Sequence, residues 1–418
     1  MSIDHRTRRS ADLRALSVDE IADDVLPTAI AAHGALAARG INYAELPSLG
    51  FVVDGQRPLT LHAQGGTVSV ATNTDDAGIV AELTEDALSH LVQDEQSTMG
   101  LAMTARVRIT RGDITSWISW EPALRALLDG RKVHESGDVT LCEPDGSPLD
   151  VTRSFGLDDD RDEMAHFLTE AGFLHLRGVF DPDEMATVAD DIDEWIARAR
   201  PDDGDSWWAE DADGNRQAVR VLQFLDKSAA LRDLAADERF ADLADLTGDG
   251  HRFRGGAEGL VKPLGIVKGL SDLPWHKDCG QGRHSYQCNS MTCGISVTGA
   301  DRVSGALGVI PGSHRANTTA TALDPRLDLK PLMLETVTGD VTVHCSDTLH
   351  RAHPPVERPR KVVYTSFVLP PLPGDSVVAN PRYSKEARAE LTSVQDRIAA
   401  ADNPDSQRRY APGVGRWA

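Results

Sequence analysis

Two histidines and one aspartate stand at spacings that suit a metal site. His276 and Asp278 are separated by one residue in the run Pro274-Trp-His-Lys-Asp278, and His350 follows much later in the chain. Two imidazoles and one carboxylate make a facial triad for non-haem Fe(II), which leaves coordination positions open for a co-substrate and O2. The sequence therefore predicts an Fe(II) centre at His276, Asp278 and His350.

The spacing of these residues sets conditions on the elements that carry them. Side chains at i and i+2 of a strand point to the same side, so His276 and Asp278 on one strand can reach one ion. The third ligand must come from a different strand, at any distance in sequence. His344 and His353 flank His350 and compete with it for that third position. Cys279 follows Asp278 directly, and we expect it to pack rather than to react.

A β-framework that could hold such ligands follows a helical half of the chain. Helices are predicted around 164–171, from Asp181 onwards and over most of 222–246. The second of these has a clear start, because Asp181-Pro-Asp-Glu184 combines an N-cap with Pro at the first helical position. Apolar strand patterns then occur at 259–261, 264–267, 291–297, 306–310, 341–344 and 362–369. Antiparallel strands in this arrangement fit a double-stranded β-helix, or jelly roll, flanked by helices.

Four motifs in this order resemble the phytanoyl-CoA dioxygenase family of Fe(II)/2-oxoglutarate-dependent oxygenases, over roughly residues 160–370. They are the segment 163–180, Lys262-Pro263 with Lys268 and 274–278, the segment 304–315, and Gly339-Asp340 with Leu349-His350 and Arg360-Lys361. The resemblance implies a jelly-roll oxygenase with iron on His276, Asp278 and His350. It also implies 2-oxoglutarate and O2 as co-substrates.

The same resemblance implies that Arg360 pairs with the distal carboxylate of 2-oxoglutarate. A guanidinium suits this task because its fork meets a carboxylate with two parallel hydrogen bonds. Arg358 competes with Arg360 for the role. Ala352 stands where the family often has a serine that helps to bind the oxoacid, so a jelly-roll metalloenzyme that does not use 2-oxoglutarate stays open as an alternative.

The first third of the chain, 15–137, is predicted as a separate α+β domain. It combines short strands at 59–63 and 67–71, a helix capped by Thr84, a strand pair at 105–109 and 114–117, and a closing helix ended by Gly130. From Gly66 to Gly130 it resembles the sterol-carrier-protein-2 family. That resemblance implies a five-stranded sheet with helices and an apolar cavity. The alternative is a helper domain that buries apolar surface or makes a dimer contact.

The sequence gives weaker signals for the domain boundaries and for the residues that contact the substrate. We expect a linker at 138–160, the oxygenase domain at 161–372 and a C-terminal extension at 373–418 with a polar helix over 384–400. The stretch 202–214 is predicted as a loop in which Trp207 and Trp208 either form a substrate lid or pack onto the barrel. Lys268 and His284 are further candidate substrate contacts, with surface positions as the alternative.

Composition narrows the class of protein. The 418 residues carry a formal net charge of −22, with a pI of about 5.0, which opposes binding to nucleic acid or to anionic membranes. Five cysteines without a Cys-x-x-Cys pair suggest neither a disulfide framework nor a zinc site. No apolar run marks a membrane span or a signal peptide, so we expect a cytoplasmic protein with a small-molecule substrate, and a homodimer is compatible with it.

These inferences converge on a dioxygenase that oxidises, most often by hydroxylation, an unactivated C–H bond of a small organic substrate. Lipid-like compounds and natural products both fit. Two rival interpretations stay open from the residues alone. One is a carrier of hydrophobic ligands with an inactive barrel, and the other is the metalloenzyme without 2-oxoglutarate.

Overall fold

The computed structural model describes residues 13–103, 106–201, 203–246, 248, 250–268, 273–279, 290–319 and 326–369. Its first unit, built from residues 13–134, is a five-stranded sheet covered by helices. The strands are β1 (Leu49–Val52), β2 (Leu59–Gln64), β3 (Thr67–Ala71), β4 (Ile79–Leu83) and β5 (Val107–Arg111). They lie in the order β3-β2-β1-β4-β5, the strand number that the sterol-carrier resemblance implies.

The helices of this unit begin and end where local signals place them. They are α1 (Val18–Glu20), α2 (Leu26–Tyr43), α3 (Glu85–Val92), α4 (Thr98–Met103), α5 (Ile114–Ser119) and α6 (Glu121–Asp129). Thr84 accepts a hydrogen bond from the Ala87 amide at 3.1 Å and so caps α3. Pro27 lies in the first turn of α2, and a π-helical turn at Ile21–Val25 precedes it. Gly130 ends α6 with a φ of 69°.

One prediction for this unit is wrong, and one of its strands was missed. The strand predicted at 114–117 is the helix α5, because Asp113 caps it by accepting from the Ser116 amide at 2.9 Å. Strand propensity of Ile and Trp was outweighed by this cap. The strand β1 was not predicted, yet it lies at the centre of the sheet, antiparallel to β2 and parallel to β4.

A small apolar cavity lies in the core between the sheet and its helices. It offers about 10 Å³ of space, which is about what one water molecule requires. Its lining is entirely aliphatic and aromatic: Ile21, Leu26, Phe51, Leu59, Leu61, Leu88, Leu91, Val92, Leu124 and Leu128. This cavity is far too small to hold a lipid.

The second unit is a jelly roll of two sheets. Its strands are β6 (Phe173–Leu176), β7 (Ser206–Asp211), β8 (Arg216–Val221), β9 (Arg252–Lys262), β10 (Ile266–Lys268), β11 (Leu273–His276), β12 (Ser290–Ser296), β13 (Leu307–Val309), β14 (Leu332–Leu334), β15 (Val341–Cys345), β16 (His350–Ala352) and β17 (Arg360–Val368). The large sheet has the order β10-β7-β8-β9-β17-β12-β15-β6, and the small sheet has the order β11-β16-β13-β14.

Helices cover the outer face of the large sheet. They are α7 (Arg161–Ala171), α8 (Pro182–Arg198), α9 (Phe224–Lys227), α10 (Ala229–Ala235) and α11 (Glu238–Ala244). Lys361 of β17 reaches outwards to Asp193 of α8. A Cβ on Gly259 of β9 would contact α8 and α9 on the same side. Because strand residues alternate, Arg360 faces the interior of the barrel.

The stretch 202–214 is not the loop that we predicted. Its middle part, Ser206–Asp211, forms β7, which pairs with β8 as an antiparallel hairpin. Asp211 closes the turn, since its carboxylate accepts from the amides of Asp213 and Asn215 at 2.9 Å each. Acidic residues around the two tryptophans concealed the strand from a pattern based on apolar alternation.

A direct junction joins the two units. The Asn317 side chain of the barrel donates to the carbonyls of Pro122 and Arg131, both at 2.9 Å. Asp328 bonds His134 Nε2 at 3.0 Å and Ser136 Oγ at 2.9 Å. The predicted linker also takes part in the barrel, because Phe155 is fully buried in its core.

Two predicted features fall on residues outside those described: His284 and the whole extension 373–418, with its helix over 384–400. Among the described helices, none combines the length and the apolar character that crossing a membrane demands.

Candidate metal centre

The strands β11 and β16 are neighbours in the small sheet, and their register sets His276 directly opposite His350. Asp278 follows two residues after the end of β11. One ligand atom from each of the three side chains lies within 4.8 Å of the others. The Oδ1 atom of Asp278 is 3.3 Å from His276 Nε2 and 3.8 Å from His350 Nε2. The structure thus brings together the three residues that the sequence singled out.

The position of Asp278 differs from the predicted one. β11 ends at His276, so the aspartate lies in a turn rather than on the same strand face. Two contacts hold it there instead. Thr292 Oγ1 of β12 donates to Asp278 Oδ2 at 2.9 Å, and the Cys279 amide donates to the Ser346 carbonyl at 3.0 Å. Because Thr292 engages Oδ2, Oδ1 is left to face the two imidazoles.

The His350 ring is oriented by the backbone. Its Nδ1 lies 2.9 Å from the Thr348 carbonyl, which can only accept, so Nδ1 carries the proton and Nε2 carries the lone pair. That lone pair points towards Asp278. A hydrogen bond from the far nitrogen to a carbonyl is the usual way in which proteins orient a metal-ligating histidine.

The electrostatics of the cluster suit a cation. Burial lowers the pKa of His350 well below its ordinary value, and the His276 and His344 rings lower it further. Burial opposes ionisation of Asp278, but the imidazoles of His350 and His276 outweigh it and hold the pKa of this carboxyl far below its usual range. At neutral pH His350 is therefore neutral and Asp278 is charged, as metal binding requires.

One buried segment holds the loops on both sides of the cluster. Lys277, between the two first ligands, is only 1% exposed and donates its Nζ to the carbonyls of Ser313 at 3.0 Å and Ala316 at 3.1 Å. The Leu349 amide, next to His350, donates to Ser313 Oγ at 2.8 Å. Because Asn317 of the same segment bonds the N-terminal unit, that unit braces the ligand loops.

The two competing histidines lie in different places. His344 of β15 is beside the cluster: its ring centroid is 4.2 Å from that of His350, and its Nε2 is 4.0 Å from Asp278 Oδ2. Burial lowers the pKa of His344 to about 4. His353 instead packs edge-on against Trp275, with ring centroids 6.2 Å apart. Neither belongs to the set of three close ligand atoms found among the described residues.

The two candidate arginines also differ. Arg360 is 4% exposed, and neither its Nε nor its Nη2 has a hydrogen-bond partner among the described residues. Arg358 is exposed and pairs with Asp301 on the surface. A buried guanidinium with open N–H groups is costly without an anion, so the inner face of β17 offers an anion site.

The remaining residues that the sequence singled out differ in burial and in their contacts. Lys262, part of the second sequence motif, is 2% exposed, lies opposite Arg360 in the sheet and donates to the His353 carbonyl at 2.5 Å. Trp207 is half-buried, with the guanidinium of Arg220 4.5 Å from its ring centroid. Trp208 is half-buried and donates its Nε1 to Ser206. Lys268 is the last residue of β10, and the structure describes its backbone alone.

Sequence reasoning missed two supporting residues, Thr292 and Ser313, which touch ligands or their neighbours. Thr292 could have been found, because it is polar within the apolar run 291–297. The Gly339-Asp340 motif is structural. A Cβ on Gly339 would lie 1.9 Å from the Phe180 carbonyl, and Asp340 bonds His175 Nε2 at 2.9 Å and the Gly178 amide at 2.9 Å.

Comparisons with known proteins bear on this centre. Residues 168–361, slightly less than half of the chain, match the sequence profile of the family described as Phytanoyl-CoA dioxygenase (PhyH). No curated protein matches the chain significantly.

Several solved structures are similar over about half of the chain. The epimerase SnoN, in complex with Fe3+, alpha ketoglutarate and nogalamycin RO, is 19% identical, covering 50% of this chain and 83% of its own, with a TM-score of 0.40. AviO1 from Streptomyces viridochromogenes Tue57 is 23% identical, covering 51% and 97%, with a TM-score of 0.42. EctD from S. alaskensis is 19% identical, covering 57% and 84%, with a TM-score of 0.43.

The profile match spans β6 to the beginning of β17 and includes His276, Asp278 and His350. It agrees with the family that the sequence motifs indicated. The segment 168–361 is therefore similar to the phytanoyl-CoA dioxygenase (PhyH) family, and the chain is an Fe(II)/2-oxoglutarate-dependent dioxygenase with iron, 2-oxoglutarate and O2 as its cofactor and co-substrates.

Proposed function

We propose that His276, Asp278 and His350 hold the iron, that Arg360 anchors 2-oxoglutarate, and that the enzyme hydroxylates an unactivated C–H bond of a small organic substrate. The observation that carries this proposal is the convergence of three ligand atoms within 4.8 Å, with Asp278 charged and His350 neutral. Two nitrogens and one hard oxygen fit Fe(II) and leave open positions on the other side.

Each protein group has a distinct task in this proposal. Thr292 holds one oxygen of Asp278, so that the other faces the ion. The Thr348 carbonyl keeps the His350 lone pair inward. Arg360 donates two N–H bonds to the distal carboxylate of 2-oxoglutarate, a geometry for which a buried guanidinium is well suited. Burial of these groups excludes water from the reacting atoms.

When bound, iron and 2-oxoglutarate supply the oxidation of a C–H bond by O2. One oxygen atom enters the substrate as a hydroxyl, and the other enters succinate as CO2 leaves. The chain's own contribution is to position the oxoacid and the substrate around the open side of the site and to keep His350 neutral.

We place the substrate at the β7–β8 side of the barrel. Trp207 stands opposite Arg220, Arg220 opposite Leu260, and Leu260 opposite Val362, two residues from Arg360 on the same face. Arg220 forms a half-buried ion pair with Glu258 at 2.8 Å, so this interior face is polar as well as aromatic. A natural product with polar groups fits such a wall better than an unfunctionalised lipid. Roles for Trp208, Lys268 and His284, a cytoplasmic location and a homodimer stay predictions.

The test is succinate formation by anaerobically purified protein given Fe(II), 2-oxoglutarate and O2, with no further substrate. We expect slow formation of succinate and CO2 by the unaltered enzyme and none by His276→Ala. Equal rates in both proteins would contradict the assignment of the triad. Product analysis with candidate substrates then distinguishes hydroxylation, which adds one oxygen atom, from desaturation or ring closure, which removes two hydrogens.

A further inference from the structure

A fourth histidine, His344, lies at the edge of the metal centre without an evident task. It stands on β15 directly opposite Thr292 of β12, so both side chains face the barrel interior beside Asp278. His344 is 1% exposed, and its ring centroid lies 4.2 Å from that of His350. A polar ring at this depth and this close to the triad is either an interior packing group or a binding group.

The lack of hydrogen-bond partners for His344 among the described residues favours a binding group over an interior packing group. Neither its Nδ1 nor its Nε2 has a hydrogen-bond partner among the described residues. A neutral imidazole has one donor and one acceptor, and leaving them buried and unmatched costs roughly 1–3 kcal/mol per group. An apolar residue of similar size would avoid this cost. The neighbouring imidazole of His350, by contrast, has a partner, because its Nδ1 lies 2.9 Å from the Thr348 carbonyl.

The geometry argues against His344 as a metal ligand. The nitrogens of His276 and His350 gather around Asp278 Oδ1, at 3.3 and 3.8 Å. His344 Nε2 approaches the opposite oxygen, Oδ2, at 4.0 Å, and Thr292 already donates to that oxygen. A fourth protein ligand would also occupy a position that a chelating oxoacid and O2 require.

We propose that His344 is a cofactor-binding residue: its ring donates a hydrogen bond to a carboxylate oxygen of the oxoacid bound at the open side of the metal centre. This rests on the proposed function of the triad. The oxygen of a ligand seated beside His350 and Asp278 supplies the acceptor that the chain lacks. Arg360 then holds one end of 2-oxoglutarate and His344 the other, which fixes the orientation of the oxoacid.

The test compares Fe(II) and 2-oxoglutarate binding, measured separately under anaerobic conditions, in four proteins. They are the unaltered enzyme, His344→Ala, His344→Gln and the control His166→Ala. Gln restores an N–H donor of similar reach. His166, a half-buried histidine of α7, bonds the Cys142 carbonyl at 2.8 Å and controls for loss of an imidazole away from the site.

We expect His344→Ala to bind Fe(II) within about threefold of the unaltered protein and to raise the Kd for 2-oxoglutarate by about 10-fold or more, the loss of one hydrogen bond to a charged group. His344→Gln should recover part of that loss, and His166→Ala should show none. An unchanged Kd in His344→Ala overturns the proposal. A parallel loss of Fe(II) affinity also overturns it, because His344 would then be a ligand. If the unaltered protein bound no 2-oxoglutarate at all, the proposed function would fail instead.

Discussion

The two units differ in how their buried arginines, Arg125 and Arg360, are paired with other groups. In the N-terminal unit Arg125 is fully buried and surrounded: Glu121 lies 3.0 Å from its Nε, Asp129 lies 2.9 Å from its Nη1, and the Leu91 carbonyl accepts from its Nη2 at 2.6 Å. In the barrel Arg360 is almost as deeply buried, but no carboxylate of the described residues forms an ion pair with it, and its Nε and Nη2 have no hydrogen-bond partner there. A buried guanidinium that is paired with carboxylates of its own unit stabilises a fold, whereas one without an anion offers a site for a ligand.

The linings of the two interiors also differ. The cavity of the N-terminal unit is small and lined by apolar side chains alone. The barrel interior instead presents His344, Arg360 and the triad, whose polar atoms are matched by each other only in part. Among the described residues, the cluster of possible metal ligands thus lies in the barrel, and the N-terminal unit contacts the barrel through Asn317.

The largest expected effect is on stability. Arg125→Met leaves Glu121 and Asp94 buried without their cation, so we expect the free energy of unfolding to fall by about 3–5 kcal/mol. Denaturant unfolding monitored by tryptophan fluorescence measures this, because Trp117 and Trp120 lie in the same core. A loss below about 1 kcal/mol would mean that Arg125 is not the structural counterpart described here.

The second effect is on ligand binding. Arg360→Gln should raise the Kd for 2-oxoglutarate by roughly 30- to 100-fold, since hydrogen bonds to a charged group contribute about 1.5–3 kcal/mol. Unfolding stability should stay the same or rise, because an unpaired buried charge is removed. Arg358→Gln is the matched control, and we expect no change in Kd from it. Equal Kd values for the two variants would remove the distinction between Arg360 and Arg358.

A third variant tests whether the junction between the two units supports the metal centre. Asn317→Ala removes two hydrogen bonds across the junction and leaves two carbonyls unmatched, which should lower stability by about 1–3 kcal/mol. Because the same segment holds Lys277 and Ser313, we also expect Fe(II) affinity to fall several-fold in metal titrations. Asn215→Ala, in an exposed turn, serves as the control. A stable variant with unaltered metal affinity would separate the two units functionally.

The smallest effect is a pH dependence at Asp340. Burial raises the pKa of this carboxyl, but hydrogen bonds from His175 and from the Val337 and Gly178 amides outweigh it and leave the pKa below the ordinary value of 3.8. Its contribution to stability is therefore present above about pH 4 and is lost as the pH falls through the lowered value. Asp340→Asn should cost about 1 kcal/mol at pH 7 and less at pH 3, by denaturant unfolding.

Much of the barrel and its centre follows from sequence because the signals are local. Strand patterns at 291–297 and 362–369 correspond to β12 and β17, and the triad residues stand in short motifs. Burial of Lys262 could not be predicted, since lysine is rarely buried unless a long-range partner such as the His353 carbonyl accepts from it. The place of His344 depends on which face of β15 turns inward, and alternation alone does not reveal that.

Two elements, one in each unit, were harder to predict for a related reason. The helix α5 depends on one capping contact from Asp113, and its β-branched residues suggested a strand. The hairpin of β7 and β8 depends on pairing with β9 and β10, which are distant in sequence. Tertiary context overrides propensity in both places.

The most direct test of the central claim is the visible spectrum of anaerobic protein titrated with Fe(II) and then with 2-oxoglutarate. The account predicts a charge-transfer band that appears only when both are present, is absent in His276→Ala, and in Arg360→Gln appears only at much higher 2-oxoglutarate concentration. A band of equal strength in His276→Ala, or no band in the unaltered protein although Fe(II) binds, would contradict the assignment of the triad and its open side.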